Sequence, residues 1–253
     1  ADDLRTVLAE LQSGGSVAST VLGRSDPRSD FDAAPVSQAI ARIVPKGLQA
    51  FGPDDSEFFL ELLPGPRDRS GLPDSLRFWK SRIESDDHEN SFSVALIYGP
   101  SGSGKSSLVR AGLLPRLNPA VRVVCIDAAG SDTESRLAAA LRRILPNLHA
   151  SSSLAELLAQ IRESHKNDSH RVLIVIDQFE QWLHERSHDI EGAGLVDPLG
   201  QADGQSIRIL LLVPDDFWLA VTRLFECLEV KLDRDRNARC VDLFDAKHSR
   251  RVL

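Results

Sequence analysis

The stretch Tyr98-Gly99-Pro100-Ser101-Gly102-Ser103-Gly104-Lys105-Ser106-Ser107-Leu108 contains a glycine, four further residues, and then Gly-Lys-Ser. Glycines let backbone N–H groups turn inward around a phosphate without a clash from Cβ. The lysine of such a loop reaches the β- and γ-phosphates, and the hydroxyl that follows it is a ligand for Mg²⁺. The pattern lies between a predicted strand and a predicted helix, which favours a phosphate-binding loop (P-loop) over a chance glycine-rich turn. Its predicted nucleotide-binding residues are Gly99, Pro100, Ser101, Gly102, Ser103, Gly104, Lys105, Ser106 and Ser107.

A second candidate segment, RVLIVIDQFE, runs from Arg171 to Glu180. A nucleoside-triphosphatase with a P-loop also needs an acidic residue at the end of a neighbouring strand to hold Mg²⁺. Asp177 ends an aliphatic run of strand length and is predicted to form the metal site together with Ser106. Glu180 is predicted to be catalytic by orienting the attacking water, with Lys105 as its partner in catalysis. The alternatives are an ordinary helix N-cap for Asp177 and a solvated first-turn acid for Glu180.

Apolar runs of strand length alternate with helical patterns along the second part of the chain. The predicted strands are 93–98, 121–127, 171–177, 207–213 and, more weakly, 239–244, and the predicted helices are 106–114, 133–145, 154–165, 179–186 and 216–228. Nearly continuous apolar strands indicate a parallel sheet that is covered on both faces. The predicted fold class is therefore α/β, a P-loop three-layer sandwich of about five strands. An extra strand between the P-loop strand and the Asp177 strand would make this an additional-strand NTPase.

Three segments are predicted along the chain. Residues 1–34 form a short helix (Asp2 to Leu11) and a polar linker, and 35–90 form a helical extension that includes helices within 53–63 and after Asp74. Residues 91–253 form the P-loop core, which we expect to belong to a longer protein and to end before further domains. The segment 191–204 is predicted to be a long loop or lid.

Composition excludes several classes of function. The formal net charge is −7, which disfavours a broad nucleic-acid-binding surface. No apolar run approaches the roughly 20 residues that span a bilayer, so no membrane association is predicted. The three cysteines are widely spaced, without a metal-binding pattern, and fit a reducing, cytoplasmic location.

The predicted nucleotide is ATP, with ADP as the product. Guanine specificity usually depends on an Asn/Thr-Lys-x-Asp signature after a strand. The nearest match, His165-Lys166-Asn167-Asp168, has the wrong first residue and precedes the Asp177 strand instead of following it. GTP is therefore disfavoured.

Four stretches together resemble the novel STAND NTPases, signal-transduction ATPases with numerous domains. They are KGLQAFGPDDSEFF (46–59), GPSGSGKSSLVRAGLLPRL (99–117), VLIVIDQFEQWL (172–183) and ILLLVPDDFWLAV (209–221). The resemblance implies an AAA-like ATPase core that acts as a switch, ADP-bound at rest and ATP-bound when active. It also implies fused or associated effector and repeat-sensor domains, nucleotide-dependent oligomerisation, and the roles already given to Lys105, Ser106, Asp177 and Glu180.

The chain departs from the family pattern in two places. The segment 60–79 replaces the Gly-Arg-Glu box that contacts adenine, so no adenine contacts are assigned. Pro214 stands where the family's sensor strand carries an arginine before an Asp-Phe pair. Proline offers no charge to the γ-phosphate and no backbone N–H. Arg208 and Arg223 are nearby in sequence, but both are predicted to make surface salt bridges.

The resulting interpretation is an ATP-binding, slowly hydrolysing switch module in signal transduction or conflict response, whose activity is slow or depends on assembly. One alternative is a nucleotide-binding scaffold without hydrolysis, which Pro214 favours and Glu180 disfavours. The other is a small-molecule phosphotransferase with the 191–204 loop as its lid, although that loop carries no arginine.

Overall fold

Five parallel strands form the sheet of this protein in the computed structural model. The structure describes residues 50–145, 152–165, 170–186, 190 and 194–242, all within the unit Lys46–Leu253. The strands are β1 (Val94–Gly99), β2 (Val121–Asp127), β3 (Arg171–Asp177), β4 (Ile207–Pro214) and β5 (Ala238–Cys240). Their order across the sheet is β2-β3-β4-β1-β5. Strand β4 therefore lies between the P-loop strand β1 and the Asp177 strand β3, as expected for an additional-strand NTPase.

The register of the sheet brings the ends of its strands together. Gly99 at the end of β1 pairs with Pro214 at the end of β4, and Asp127 at the end of β2 pairs with Asp177 at the end of β3. Because all these strands are parallel, their carboxyl ends lie along one edge of the sheet. The polar residues that follow the strands are therefore collected at that edge.

Helices cover both faces of the sheet. They are α1 (Ser56–Leu62), α2 (Asp74–Glu84), α3 (Lys105–Ser107), α4 (Thr133–Ile144), α5 (Leu154–His165), α6 (Glu180–Glu185), α7 (Val196–Gly200) and α8 (Trp218–Cys227). One hydrophobic core contains side chains of α4 to α8 and alternate strand residues such as Leu96 and Ile174. The other contains side chains of α1, α2 and the helix after the P-loop, with Ile97 and Val175. The predicted α/β fold class is confirmed.

The helix after the P-loop is less regular than predicted. An α-helix was expected over 106–114, but after α3 the backbone is π-helical over Leu108–Leu113 and 3-10 helical over Leu114–Arg116. Pro115 explains part of the difference, because it has no N–H to donate to the carbonyl of Ala111. The Arg116 guanidinium donates to that oxygen and to Gly112 O, at 2.9 Å each.

Two smaller predictions were wrong in detail. Pro73, and not Asp74, is the N-cap of α2, and Asp74 is instead the first helical residue, where it pairs with Arg77 at 2.5 Å. The segment 191–204 is not simply a loop, because it contains α7.

Other sequence predictions lie outside the described residues. They are the helix at Asp2 to Leu11 with its linker, part of the 166–168 match, residues 191–193 of the predicted lid, and the end of the fifth strand beyond residue 242. The division of the chain at residues 34 and 90 stays a prediction. Among the described helices, none has the length and apolar character needed to cross a membrane.

Candidate nucleotide-binding site

The P-loop turns from β1 into α3 through a backbone that requires glycine. Gly99 has φ of 149°, and a Cβ built on it would lie 2.1 Å from the carbonyl oxygen of Val241. Gly104 has φ of 90° in the left-handed region, directly before α3 begins. Any larger residue is strained at both positions. The glycines therefore let the loop close against Val241, the residue directly after β5, while its backbone turns around a central space.

Lys105 is held inside this turn. Its Nζ donates hydrogen bonds to Gly99 O and Pro100 O, at 2.8 Å each. Burial lowers the pKa of Lys105, while the negative charges of Glu180, Asp215 and Asp177 act in the opposite direction. The ammonium is thus partly desolvated and surrounded by acidic groups, a setting in which it can neutralise the charge of a phosphate.

Ser106 and Asp177 connect the P-loop helix to β3. Ser106 Oγ donates to Asp177 Oδ1 at 3.0 Å, and the backbone N–H of Gln178 donates to the same oxygen at 2.9 Å. Asp177 is buried, with 3% of its surface exposed. A hydroxyl and a carboxylate oxygen at this distance are a donor set that Mg²⁺ accepts, usually together with phosphate oxygens and waters. These two residues therefore fit the predicted metal site.

Glu180 is the first residue of α6, three positions after Asp177. Its Oε2 is buried and has no hydrogen-bond partner among the described residues. Burial raises the pKa of Glu180, the neighbouring Asp177 charge raises it further, and Lys105 opposes the shift. A half-buried carboxylate with one unpaired oxygen, next to a phosphate-binding loop, can accept a proton or a hydrogen bond from a water molecule.

The connection between Asp177 and Glu180 is strained. Gln178 has φ of 52°, which is uncommon for a residue with a side chain. The next residue, Phe179, donates its N–H to Leu212 O at 3.1 Å. This tight turn brings Glu180 back towards the P-loop directly after the strand.

The remaining predicted P-loop residues differ in their surroundings. Pro100, Ser101 and Gly102 are exposed, whereas Ser103 is buried and its Oγ has no hydrogen-bond partner in the described part of the chain. Ser107 Oγ accepts a hydrogen bond from the N–H of Phe51 at 3.1 Å. The Ser107 side chain thus fastens the segment before α1 to the loop, and only its backbone is left to face a phosphate.

One residue of the site was missed by the sequence analysis. Arg110 lies one helical turn after Ser106, and its Nη2 is 3.0 Å from Asp177 Oδ2. The same nitrogen forms an ion pair with Asp127 Oδ1. The sequence signal was an arginine four residues after Ser106, but its partners are at the ends of β2 and β3 and cannot be predicted from spacing.

The end of β4 carries Pro214 where the family pattern predicted an arginine. Pro214 ends β4 opposite Gly99, and Asp215 follows it near Lys105. Arg223 is exposed. The prediction that Arg208 makes a surface salt bridge was wrong, because only 2% of its surface is exposed.

Arg208 lies at the opposite end of β4 from the P-loop. It donates to Gly204 O at 2.8 Å, to Ser85 O at 2.5 Å and to Ile83 O. Burial, with the nearby charge of Arg171, lowers the pKa of Arg208 to about 10. Its contacts join β4 to the end of α2, so it serves the fold and not the nucleotide site.

The parallel sheet order and the P-loop geometry define a P-loop NTPase fold. The sequence matches the family described as Novel STAND NTPase 1 over residues 46–238. The chain therefore belongs to the novel STAND NTPase 1 family, and the resemblance found in the sequence is confirmed. Membership places it among nucleotide-binding NTPase modules.

Solved structures with a similar backbone include one described as a Walker-type ATPase and two ORC structures. A Walker-type ATPase of Pyrococcus abyssi has 18% identity and a TM-score of 0.48, covering 75% of this chain and 59% of that one. The Aeropyrum pernix ORC2 protein with ADPNP and ADP has 16% identity and a TM-score of 0.49, covering 76% and 52%. Drosophila ORC bound to DNA has 19% identity and a TM-score of 0.44, covering 67% and 42%. The chain thus spans about half the length of these structures. No curated protein matches the sequence.

Proposed function

We propose that this chain is an ATP-binding, slowly hydrolysing switch module that works in signal transduction or conflict response. The observation that carries the proposal is the hydrogen bond between Ser106 Oγ and Asp177 Oδ1, with Lys105 and Glu180 at the same edge of the sheet. These groups come from three elements, α3, β3 and α6, and α3 is far from the other two in sequence. Their arrangement supplies a phosphate cradle, a metal site and an acidic group in one place.

Each residue has a role in the proposal. The backbone of Gly99 to Ser107 and the Lys105 ammonium bind the phosphates, and the positive end of the P-loop helix adds to their attraction. Ser106 and Asp177 would hold Mg²⁺, which when bound offsets the negative charge of the phosphate oxygens. Glu180 orients the water that attacks the γ-phosphate. Catalysis of this kind consists of positioning and charge stabilisation.

The slow rate is proposed because the sensor position lacks a cation. Pro214 cannot contact the γ-phosphate with a charge, and Asp215 beside it is acidic. The transition state would then depend on Lys105 and the metal site, or on an arginine from a neighbouring subunit after assembly. Hydrolysis at such a rate suits the resetting of a switch better than the supply of mechanical work.

The surroundings of the module are also part of the proposal. By analogy with the family, an effector domain and a repeat sensor would be fused to it or associate with it, in the cytoplasm. Nucleotide exchange would then change how the module assembles with other copies.

The proposal is tested by equilibrium binding of fluorescent ATP and GTP analogues in the presence of Mg²⁺, followed by steady-state turnover. We expect binding of ATP, with GTP weaker, and turnover below about 1 s⁻¹, compared with about 10 s⁻¹ for a median enzyme. Lys105→Ala should weaken ATP binding at least about tenfold, because a hydrogen bond to a charged group contributes about 1.5–3 kcal/mol. Lys231→Ala, at an exposed lysine far along the chain from the P-loop, is the matched control.

A second candidate function is a nucleotide-dependent scaffold that binds ATP without hydrolysing it. Pro214 at the sensor position favours this candidate. Binding of ATP that persists unhydrolysed would support it and contradict the switch. Turnover of several per second by this chain alone would contradict both.

A further inference from the structure

Arg110 contacts two carboxylates at the edge of the sheet that carries the P-loop. Its Nη2 is 3.0 Å from Asp177 Oδ2 and is also paired with Asp127 Oδ1. We propose that Arg110 is a positioning residue, which orients the Asp177 carboxylate for Mg²⁺ and is itself held by Asp127. This role deepens the proposed function and rests on it.

The two oxygens of Asp177 have different partners. Oδ1 accepts from Ser106 Oγ and from the N–H of Gln178. Oδ2 is buried and makes no hydrogen bond within the described residues, so the ion pair with Arg110 is its main polar contact there. Without a partner at Oδ2, the carboxylate could rotate about its terminal bond and leave Ser106. Arg110 therefore keeps Asp177 Oδ1 directed at the Ser106 hydroxyl, which would be the other protein ligand of the metal.

Burial makes the Asp177 side of this contact the stronger one. The Asp177 side chain is 5% exposed, whereas the Asp127 side chain is 44% exposed. A buried carboxylate without a cation beside it is costly, while a pair that faces water is screened. Arg110 thus neutralises the carboxylate that is least able to find water, and Asp127 anchors the guanidinium from the solvent side.

The fold places Arg110 between the two acids. Asp127 and Asp177 pair in the register of β2 with β3, so both are at the ends of adjacent strands. Arg110 comes from the π-helical turn Leu108–Leu113, a backbone form that is rare and is often found at functional sites. The guanidinium therefore bridges two strand ends from the helix that carries Ser106.

The net charge of the Arg110, Asp127 and Asp177 cluster is compatible with the binding of a metal ion. Arg110 contributes +1 and the two carboxylates −2, so the cluster retains one negative charge. If the guanidinium instead competed with Mg²⁺ for Asp177, its removal would strengthen the binding of the metal. The two roles therefore predict opposite effects of the same substitution.

The test measures the affinity of a fluorescent ATP analogue with Mg²⁺ and with EDTA, for the whole chain. The affinity with Mg²⁺ divided by the affinity with EDTA measures the contribution of the metal site, and it requires no hydrolysis. Arg110→Gln should lower this ratio about tenfold, within the range found when groups that orient metal ligands are removed. Its affinity in EDTA should stay within about twofold of the wild type, since the phosphate-binding groups are unchanged.

Three further variants distinguish a positioning role of Arg110 from an effect on folding and from a non-specific effect of removing a positive charge. Arg110→Lys should recover part of the ratio, because it keeps the charge but not the planar fork. Asp127→Asn should lower the ratio less than Arg110→Gln and add nothing in the Arg110→Gln background. Arg136→Gln removes an exposed cation that donates to Asp127 O and touches neither carboxylate group, so it should leave the ratio unchanged.

The outcomes are distinct. An unchanged or increased ratio in Arg110→Gln overturns the positioning role, as does an equal loss with Mg²⁺ and with EDTA, which would indicate a purely structural residue. If Arg110→Gln does not fold, the Mg²⁺-to-EDTA affinity ratio is measured for Arg110→Lys and Asp127→Asn instead. An unchanged or increased ratio in both variants would then overturn the positioning role. A wild-type chain that binds no ATP would overturn the proposed function first, and the positioning role with it.

Discussion

Pro214 pairs with Gly99 at the last step of the register between β4 and β1, so the end of β4 and the first glycine of the P-loop lie side by side. A side chain at position 214 therefore starts next to the nucleotide site. Asp215 comes directly afterwards and lies close enough to Lys105 to act on its pKa. This edge of the sheet thus offers acidic groups where a cation would favour hydrolysis.

Pro214→Arg should accelerate hydrolysis. A guanidinium at the end of β4 would stabilise charge on the γ-phosphate in the transition state, and we expect the single-turnover rate to rise at least about tenfold. Affinity for ATP should change much less. Pro214→Ala, which removes the ring without adding charge, is the control, and equal rates for both variants would contradict this account of Pro214.

Gly99→Ala should disrupt the P-loop strand and its loop. The new Cβ would lie 2.1 Å from the carbonyl oxygen of Val241, at a φ of 149°. We expect a loss of more than about 2 kcal/mol in the free energy of unfolding, measured by denaturant titration. Gly200→Ala, at the end of α7 with open space around its Cα, should leave that energy nearly unchanged. Similar losses in the two variants would show that the close approach to Val241 does not exist.

Glu180→Gln should raise stability at neutral pH while it removes the acidic group of the site. Partial burial raises the pKa of the Glu180 carboxyl, so its ionised form is disfavoured in the folded chain. As the pH falls from above the folded pKa of Glu180 to below the ordinary pKa of an unfolded glutamate, the wild type takes up a proton and gains stability. The stability that the variant gains over the wild type should therefore be largest at pH values above the folded pKa of Glu180. It should vanish at pH values below the ordinary pKa of an unfolded glutamate. Thermal melting at several pH values measures the difference, and a constant difference would exclude Glu180 as its source.

Arg208→Met should destabilise the fold without weakening nucleotide binding by the folded protein. Arg208 donates to Gly204 O, Ser85 O and Ile83 O, and its loss leaves two buried carbonyls and one partly buried carbonyl without this donor. We expect a cost of about 2–4 kcal/mol in the free energy of unfolding, because each lost bond to a charged donor contributes about 1.5–3 kcal/mol and packing offsets a part. A loss of affinity for ATP that exceeds the loss of folded protein would contradict the structural role.

Local patterns in the sequence predicted most of the sheet. The bounds of β2 and β3 agree with the prediction because each strand is an aliphatic run that ends in an aspartate. The helix after the P-loop differed because Pro115 and the contacts of Arg116 change its backbone. The surface position predicted for Arg208 was wrong, since a single charged residue in a strand gives no sign that it will donate to backbone carbonyls at the end of α2. Arg110 was missed for a similar reason, because its importance comes from Asp127 and Asp177 on adjacent strands.

The most direct test of the switch is the fate of the bound nucleotide. Excess protein is mixed with trace γ-labelled ATP and Mg²⁺, and bound ATP is separated from released phosphate over an hour. The account predicts slow conversion of bound ATP to ADP by the wild type, retention of ATP by Glu180→Gln with a rate at least about 100-fold lower, and binding at least about tenfold weaker by Lys105→Ala. Glu226→Gln, at an exposed acid on α8, should behave as the wild type. Tight ATP that never turns over in the wild type, or equal conversion by Glu180→Gln, would contradict the central claim.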